Sequence, residues 1–343
     1  MIMRRIHFLN VNNGDCSIIQ HGSGRVTVID VCNARSTNAV AEAKIAVAAA
    51  LQVEKFGNFN QKKYPANPIS YMRDRGMTSV FRFILTHPDM DHLDGIEAFF
   101  KAFCPGNLWD TNNRCEKEFG PTNNGGYSEN DWKFYKKLRD GDPSSDPKRL
   151  TLYSGATGKY WNEGEDGGAG DGITVLAPTA TLVAQANECD DYNDCSYVLL
   201  YRAQTGNGGT YKILFAGDSH DASWEHILEK HEDLVANVDL LIAPHHGRHS
   251  DRDWEFLDVL NPSLTLFGNA DSEHLAYSAW SNRGLPIVTN NQAGNIVIDV
   301  DSDPMVVYVT CEKFAKSRNR YSRYSDGFKA HFLQQIVRPH VAA

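Results

Sequence analysis

Between Val80 and Phe103 the chain reads as a strand, a turn crowded with metal-binding side chains, and a helix. In the apolar, β-rich run from Val80 to Thr86, Phe81, Phe83 and Leu85 alternate with Val80, Arg82 and Ile84. His87-Pro-Asp-Met-Asp-His92 follows at once and offers His87, Asp89, Asp91 and His92 as ligands. Beyond it Ile96, Phe99, Phe100 and Phe103 recur at helical spacing. The four side chains therefore fall on a strand-to-helix turn. Sites are commonly built at the carboxyl ends of strands, and a helix N-terminus favours anions. Neutral imidazole together with charged carboxylate suits zinc, manganese or iron. The ordinary reading is that the aspartates cap a helix and the histidines lie at the surface.

Two further runs end in the same way. Tyr211 to Phe215 leads into Ala-Gly-Asp218, and Val238 to Ala243 leads into Pro-His245-His246-Gly247. Independent surface decoration does not place Asp and His at three strand exits, so a metal-dependent hydrolase is the expectation. No Gly-x-Ser-x-Gly element signals a serine nucleophile instead.

In this order the motifs resemble the metallo-β-lactamase fold, and in particular the branch found as the soluble catalytic domain of ComEC-type DNA-uptake proteins. Phe8-Leu-Asn-Val-Asn-Asn-Gly-Asp15-Cys-Ser-Ile-Ile is similar to that branch's first strand pair, and Asn193-Asp-Cys-Ser196 resembles its Asn-rich turn. The resemblance runs from about Ile6 to about Asp301, with a poorly matching insertion. It implies an αββα sandwich, two divalent ions, and hydrolysis of a phosphodiester, nucleic acid above all, by water that the ions activate. His87, Asp89 and one of His245 and His246 are then divided between two ion positions with Asp91 and His92, and Asp218 bridges.

His245 is the preferred ligand of its pair, which leaves His246, with Asp91, among the catalytic groups. His274, after a later strand, is expected to protonate a leaving group, or else to be a surface residue. Asp15 is expected to support a metal-bound histidine or else to be a tight-turn residue, and Asn193 and Ser196 to bind substrate or complete a metal shell. His220, His226, His231 and His249 are read as surface or helix residues. Many members of the wider superfamily carry His where this chain has Asp89 and Asn193. The oxygen-richer set shifts the choice of ion from zinc towards manganese, with magnesium as a further option.

A length of 343 residues allows one large domain or two smaller ones, and the recurrent strand-then-helix pattern favours one. A mixed α/β hydrolase domain over 1–310 is expected, with a Gly-, Asn- and Asp-rich insertion at about 104–172 and a basic, aromatic extension at 311–343. The insertion is read as a substrate lid or a surface excursion, with only Glu129 to Arg139 helical. The extension interleaves Lys313, Lys316, Arg318, Arg320, Arg323 and Lys329 with Phe314, Tyr321, Tyr324 and Phe328. It is expected either to track phosphates and stack bases or to dock on the domain.

No charged-then-apolar leader and no membrane-length apolar run is seen, so a soluble, cytoplasmic chain is expected. Seven cysteines without a CxxC pair fit reduced thiols, Cys195 being the one nearest the expected site. A net charge of −9 weighs against a non-specific nucleic-acid coat without excluding a nuclease. Two other readings stay open: hydrolysis of a small phosphoester, cyclic nucleotide, lactone or thioester, and a regulatory or defence-associated role on a hydrolase fold.

Strands are expected at 6–11, 16–20, 26–30, 173–176, 196–202, 211–216, 238–243, 263–267, 286–289, 295–300 and 305–310. Helices are expected at 39–56, 221–231, 251–260 and 276–283. Pro65, Pro68 and Gly76 are read as a loop, and Gly206 to Gly209 as a hairpin turn.

Overall fold

The computed structural model describes residues 3–35, 39–51, 57–120, 126–163, 170–204, 209–270 and 272–337. The strands are β1 (Arg5–Phe8), β2 (Ser17–Gln20), β3 (Val26–Ile29), β4 (Arg82–Ile84), β5 (Asn107–Trp109), β6 (Lys148–Leu150), β7 (Ile173–Ala177), β8 (Val198–Gln204), β9 (Thr210–Phe215), β10 (Leu240–Ile242), β11 (Leu264–Phe267), β12 (Ile287–Thr289), β13 (Ile296–Asp299), β14 (Val306–Val309), β15 (Tyr324–Ser325) and β16 (Ala330–Gln335). They form a ten-stranded sheet in the order β15-β16-β14-β13-β1-β2-β3-β4-β5-β6 and a six-stranded sheet in the order β12-β11-β10-β9-β8-β7.

The two sheets repeat one plan. β1, β2 and β3 run antiparallel, and β4, β5 and β6 then add in parallel. In the second sheet β7, β8 and β9 run antiparallel, and β10, β11 and β12 add in parallel. Parallel neighbours release their chains at a common end of the sheet, so the segments after β3 and β4 leave one sheet together, as those after β9 and β10 leave the other.

Side-chain alternation sets the layers. Ile19, Ile29 and Ile84 from the large sheet meet Ile213, Phe215, Leu240 and Ile242 from the small one in a shared core. Their chain neighbours Ile18, Val28 and Phe83 point the opposite way, under helices α2 (Pro68–Asp74), α3 (Ile96–Phe103), α4 (Glu129–Asp140) and α5 (Ala180–Cys189). Leu214 and Leu241 pack beneath α6 (Asp221–Val235), α7 (Phe256–Leu260) and α8 (Tyr277–Ser281). The strands are apolar on both faces because both faces are covered. The expected αββα sandwich is the architecture observed.

Several segments differ from expectation, α5 among them, and the stretch beyond 310 follows one of its two expected readings by docking on the domain. The region of Pro65 to Gly76 contains α2 rather than a loop throughout, because Pro68 occupies the first turn and the Asn67 side chain accepts hydrogen bonds from the Ile69 and Ser70 amides. The region 104–172 supplies β5 and β6 to the large sheet. Its helix α4 places Asp131, whose carboxylate accepts from the Gly95 and Glu97 amides at the start of α3, both at 3.1 Å. Residues beyond 310 provide a helix, Glu312–Arg318, with Phe314 buried, and two further strands of the large sheet. Phe328 stacks on Tyr308 at 4.2 Å, while Tyr321 and Tyr324 remain exposed.

The first expected helix is observed as α1 (Ala39–Leu51), and 52–56, like the hairpin turn at 205–208, lie outside the described residues. Among the described residues no helix is long and apolar enough to cross a membrane, and all seven cysteines are free.

Candidate metal centre

Four strand exits converge where the two sheets meet at one end. β4 leads through Thr86 to His87, and Asp89, Asp91 and His92 follow on a tight turn. β3 leads to Asp30. β9 leads through Gly217 to Asp218, and β10 leads to His245 and His246. Gly217, at φ +51, lies where a Cβ would meet the Cβ atoms of Ser196 and Thr86 at 3.0 and 3.1 Å, which lets the exits approach.

Asp218 is the centre of the arrangement. One of its oxygens lies 3.3 Å from Nε2 of His92, and the other lies 3.8, 3.6 and 3.6 Å from Nε2 of His87, His245 and His246. Nε2 of His246 is also 3.3 Å from Asp91, and Nε2 of His87 is 3.7 Å from Asp89. Three triads, His87 with His92 and Asp218, Asp91 with His92 and His246, and Asp15 with Asp218 and His246, each bring one ligand atom per residue within 4.8 Å of the others.

Neighbouring groups set which imidazole nitrogen carries a lone pair. The Asp30 carboxylate lies 2.8 Å from Nδ1 of His92 and accepts the Thr86 hydroxyl proton at 2.6 Å. With its proton committed to Asp30, the Thr86 oxygen accepts from Nδ1 of His87 at 3.1 Å. With Nδ1 turned to these oxygens, both rings leave Nε2 to face the centre. Asp15 stands 3.0 Å from Nδ1 of His246 and orients that ring.

The backbone separates the paired histidines. His245 (φ 50, ψ 48) and His246 (φ 58, ψ 10) are both left-handed, a conformation that costs an L-residue about 1–2 kcal/mol. The rings stand at 72° with centroids 5.8 Å apart. His246 turns towards Asp91 and Asp15. His245 turns its Nδ1 towards Ser250 Oγ at 3.0 Å and Nε2 of His220 at 3.2 Å.

The electrostatics are those of a site suited to a cation. Burial alone would raise the Asp218 carboxyl, but His246, His92 and His245 hold it well below the usual carboxylate range. Burial would lower His92 and His246, yet Asp218, joined by Asp30 for His92 and by Asp15 for His246, drives both well above an ordinary imidazole. His245 is pushed down to about 3 by burial, with His246 and Arg252 adding to the effect. Nε2 of His87, His92 and His246 and Oδ1 of Asp218 are buried without a hydrogen-bond partner. Each such atom costs about 1–3 kcal/mol. Divalent ions would satisfy these atoms, and the donor chemistry of imidazole and carboxylate fits such ions.

The other expected residues are distributed around this cluster. Asp89 is 40% exposed and pairs with Lys117 at 2.8 Å. Burial opposes its ionisation, but contacts from His87 and then Lys117 outweigh it and hold the carboxyl low. Asn193 lines a recess of about 330 Å³ together with Asp89, Glu116, Lys117, Asp190 and Asp191. Ser196 accepts a hydrogen bond from the Asp218 amide at 3.2 Å and so supports that turn. Cys195 is buried against Thr111, and burial raises its thiol. His274 is 53% exposed, with Glu273 as its ion-pair partner at 4.0 Å, and it is in none of the three triads.

Sequence reasoning passed over Asp30, Thr86, Lys117 and Ser250, and it read as a surface or helix residue His220, which the structure places against His245. Asp30 ends an apolar strand just as Asp218 does, and that shared position was the available signal.

No family model matches the chain, and no curated protein does. Among solved structures the chain is similar to a diphosphatase from the PhnP family, at 12% identity and a TM-score of 0.41 over 83% of this chain and 94% of that one. It is similar also to the metallo-β-lactamase fold protein YhfI from Bacillus subtilis, at 10% identity and a TM-score of 0.38 over 83% and 96%. A B3 metallo-β-lactamase with an active-site glutamic acid is a third, at 13% identity and a TM-score of 0.38 over 73% and 80%. These are likenesses of fold.

Proposed function

We propose that the chain is a metal-dependent hydrolase of phosphodiesters, with two ion positions that share Asp218. The observation that carries this reading is the buried Asp218 carboxylate facing Nε2 of four histidines. Asp91, His92, His246 and Asp218 would hold one ion. His87, Asp89, His245 and Asp218 would hold the other, so each histidine of the pair serves a different position. When bound, divalent ions supply Lewis-acid polarisation of a phosphoryl oxygen and acidify water. Three carboxylates in the set favour a hard ion such as manganese, as phosphoryl chemistry commonly uses.

The chain's own residues contribute orientation and charge. Asp30, Thr86 and Asp15 keep the imidazole lone pairs aimed inwards. Lys117 brings an ammonium to the rim beside Asp89 and Asn193, where an anionic substrate group would arrive. One observation favours a small phosphoester over a nucleic acid: the recess beside Asp89 also carries Glu116, Asp190 and Asp191, which repel a long polyanion.

The test is metal content, followed by assays of manganese- and zinc-loaded protein on single-stranded DNA, RNA and bis-p-nitrophenyl phosphate. Polymer cleavage that disappears in Asp91→Ala supports a nuclease, and cleavage of the small ester alone supports the second substrate reading. His246→Ala and His245→Ala should each lose about one ion per chain. Turnover at the normal rate in Asp218→Asn would overturn the proposal, and bound metal without any turnover would favour another ester class or a regulatory role.

A further inference from the structure

Away from this centre, two histidines and a serine meet. Nε2 of His231 lies 2.8 Å from Oγ of Ser154, and Nε2 of His226 lies 3.0 Å from the same oxygen. Ser154 is pinned by its backbone, since its amide donates to the Pro178 carbonyl at 2.8 Å and the Gly155 amide donates to Val175 at 3.1 Å.

The convergence is built by a defect in the helix. At 3.6 residues per turn, positions five apart point about 140° away from one another, so a regular helix would not aim both rings at one atom. His231 departs from helical geometry (φ −137, ψ 17) inside α6, and its ring comes round to a centroid distance of 5.8 Å from His226 at 81°.

The serine hydroxyl has one proton, so it donates to one imidazole and accepts from the other. Burial lowers both imidazoles below their ordinary range, which leaves them neutral and able to ligate at neutral pH. Both side chains are only partly buried, so the group is open to ions from solvent.

We propose that His226, His231 and Ser154 form a second metal site, separate from the Asp218 centre, for a borderline-soft divalent ion such as Zn²⁺, Ni²⁺ or Cu²⁺. Two imidazole nitrogens close to one oxygen suit these ions, whereas Mg²⁺ and Mn²⁺ prefer oxygen sets. The ion takes both nitrogens at about 2.0–2.1 Å, with the imidazole that donated to Ser154 carrying its proton on Nδ1 instead and the serine hydroxyl keeping its own, and it ties the later turns of α6 to the segment before β7. Water completes its shell.

The experiment counts ions on the full chain after gel filtration from Zn²⁺ and, separately, from Mn²⁺. His226→Gln and His231→Gln should each hold one Zn²⁺ fewer per chain than the parent, with Mn²⁺ content unchanged. Equal Zn²⁺ content in parent and variants overturns the site and leaves a hydrogen-bonded clamp. A measurement on the unaltered protein guards against misfolded variants: Ni²⁺ but not Mg²⁺ should protect His226 and His231 from carbethoxylation, read by peptide mass spectrometry. Equal labelling with and without Ni²⁺ overturns the proposal as well.

Discussion

Asp30 lies 2.8 Å from His92, and the same carboxylate accepts the amide and hydroxyl of Thr86 at 2.7 and 2.6 Å. One buried carboxylate thereby fixes the proton positions of two imidazoles on the neighbouring strand exit. Asp30→Asn keeps the shape but turns an amide N–H towards one of these partners. A proton is then favoured on Nε2 of His92, where the lone pair is needed. Affinity for Mn²⁺ or Zn²⁺ should fall about 10–100-fold with the fold retained. Competition against a chelator measures this, and an unchanged affinity would show that Asp30 only braces the backbone.

Gly268 provides a separate handle on His246. A Cβ at this position would meet the Asp15 carboxylate at 2.9 Å and the His246 Cβ at 3.0 Å. Whichever group yields, the contact between Asp15 and His246 is disturbed. Gly268→Ala should cost about 1–3 kcal/mol in urea unfolding and weaken ion binding by about tenfold or more. Loss of stability with ion affinity intact would mean that His246 does not depend on Asp15.

Two buried histidines outside the centre should make the protein sensitive to mild acid. Burial depresses His7 and His21 to about 3, from an ordinary 6.5. The folded state therefore binds fewer protons than the unfolded one between these values. Their contribution is intact above about pH 6.5 and declines as pH falls towards 3, at up to about 1.4 kcal/mol per pH unit for each. His92 and His246 act in the opposite sense in ion-free protein, so the informative quantity is a difference between variants. Urea unfolding in chelator at pH 7 and pH 5 should show His7→Gln losing less stability than the parent. Parallel losses would contradict the assignment.

Much of the centre was legible because its signals are local. The β4 exit announces itself through donor types packed after an apolar strand, and the exits of β9 and β10 repeat that pattern. Asp15, which the sequence offers as support for a histidine or as a tight-turn residue, stands beside His246. Asp30 was missed because a lone carboxylate after a strand looks the same whether it ends a turn or orients an imidazole 62 positions away. The division between His245 and His246 was also out of reach, since it rests on consecutive left-handed residues that no side-chain pattern encodes. Lys117 comes from a segment whose composition suggested only loop, yet that segment is drawn into the large sheet by β5 and β6.

The sequence by itself determined the alternating strands of a mixed α/β chain and the donor chemistry at three of their ends, because side-chain period and ligand type are properties of neighbouring residues, while the expectation of two covered sheets rested on a resemblance to the metallo-β-lactamase fold. Only the tertiary structure decided that β3, β4, β9 and β10 release their chains side by side, that Asp218 faces four imidazoles, and that His226 and His231 share Ser154. Those relationships depend on strand order, parallel register and a kink in α6. Each arises from packing among segments far apart in the chain, where the free energy of burying both faces of two sheets chooses the arrangement.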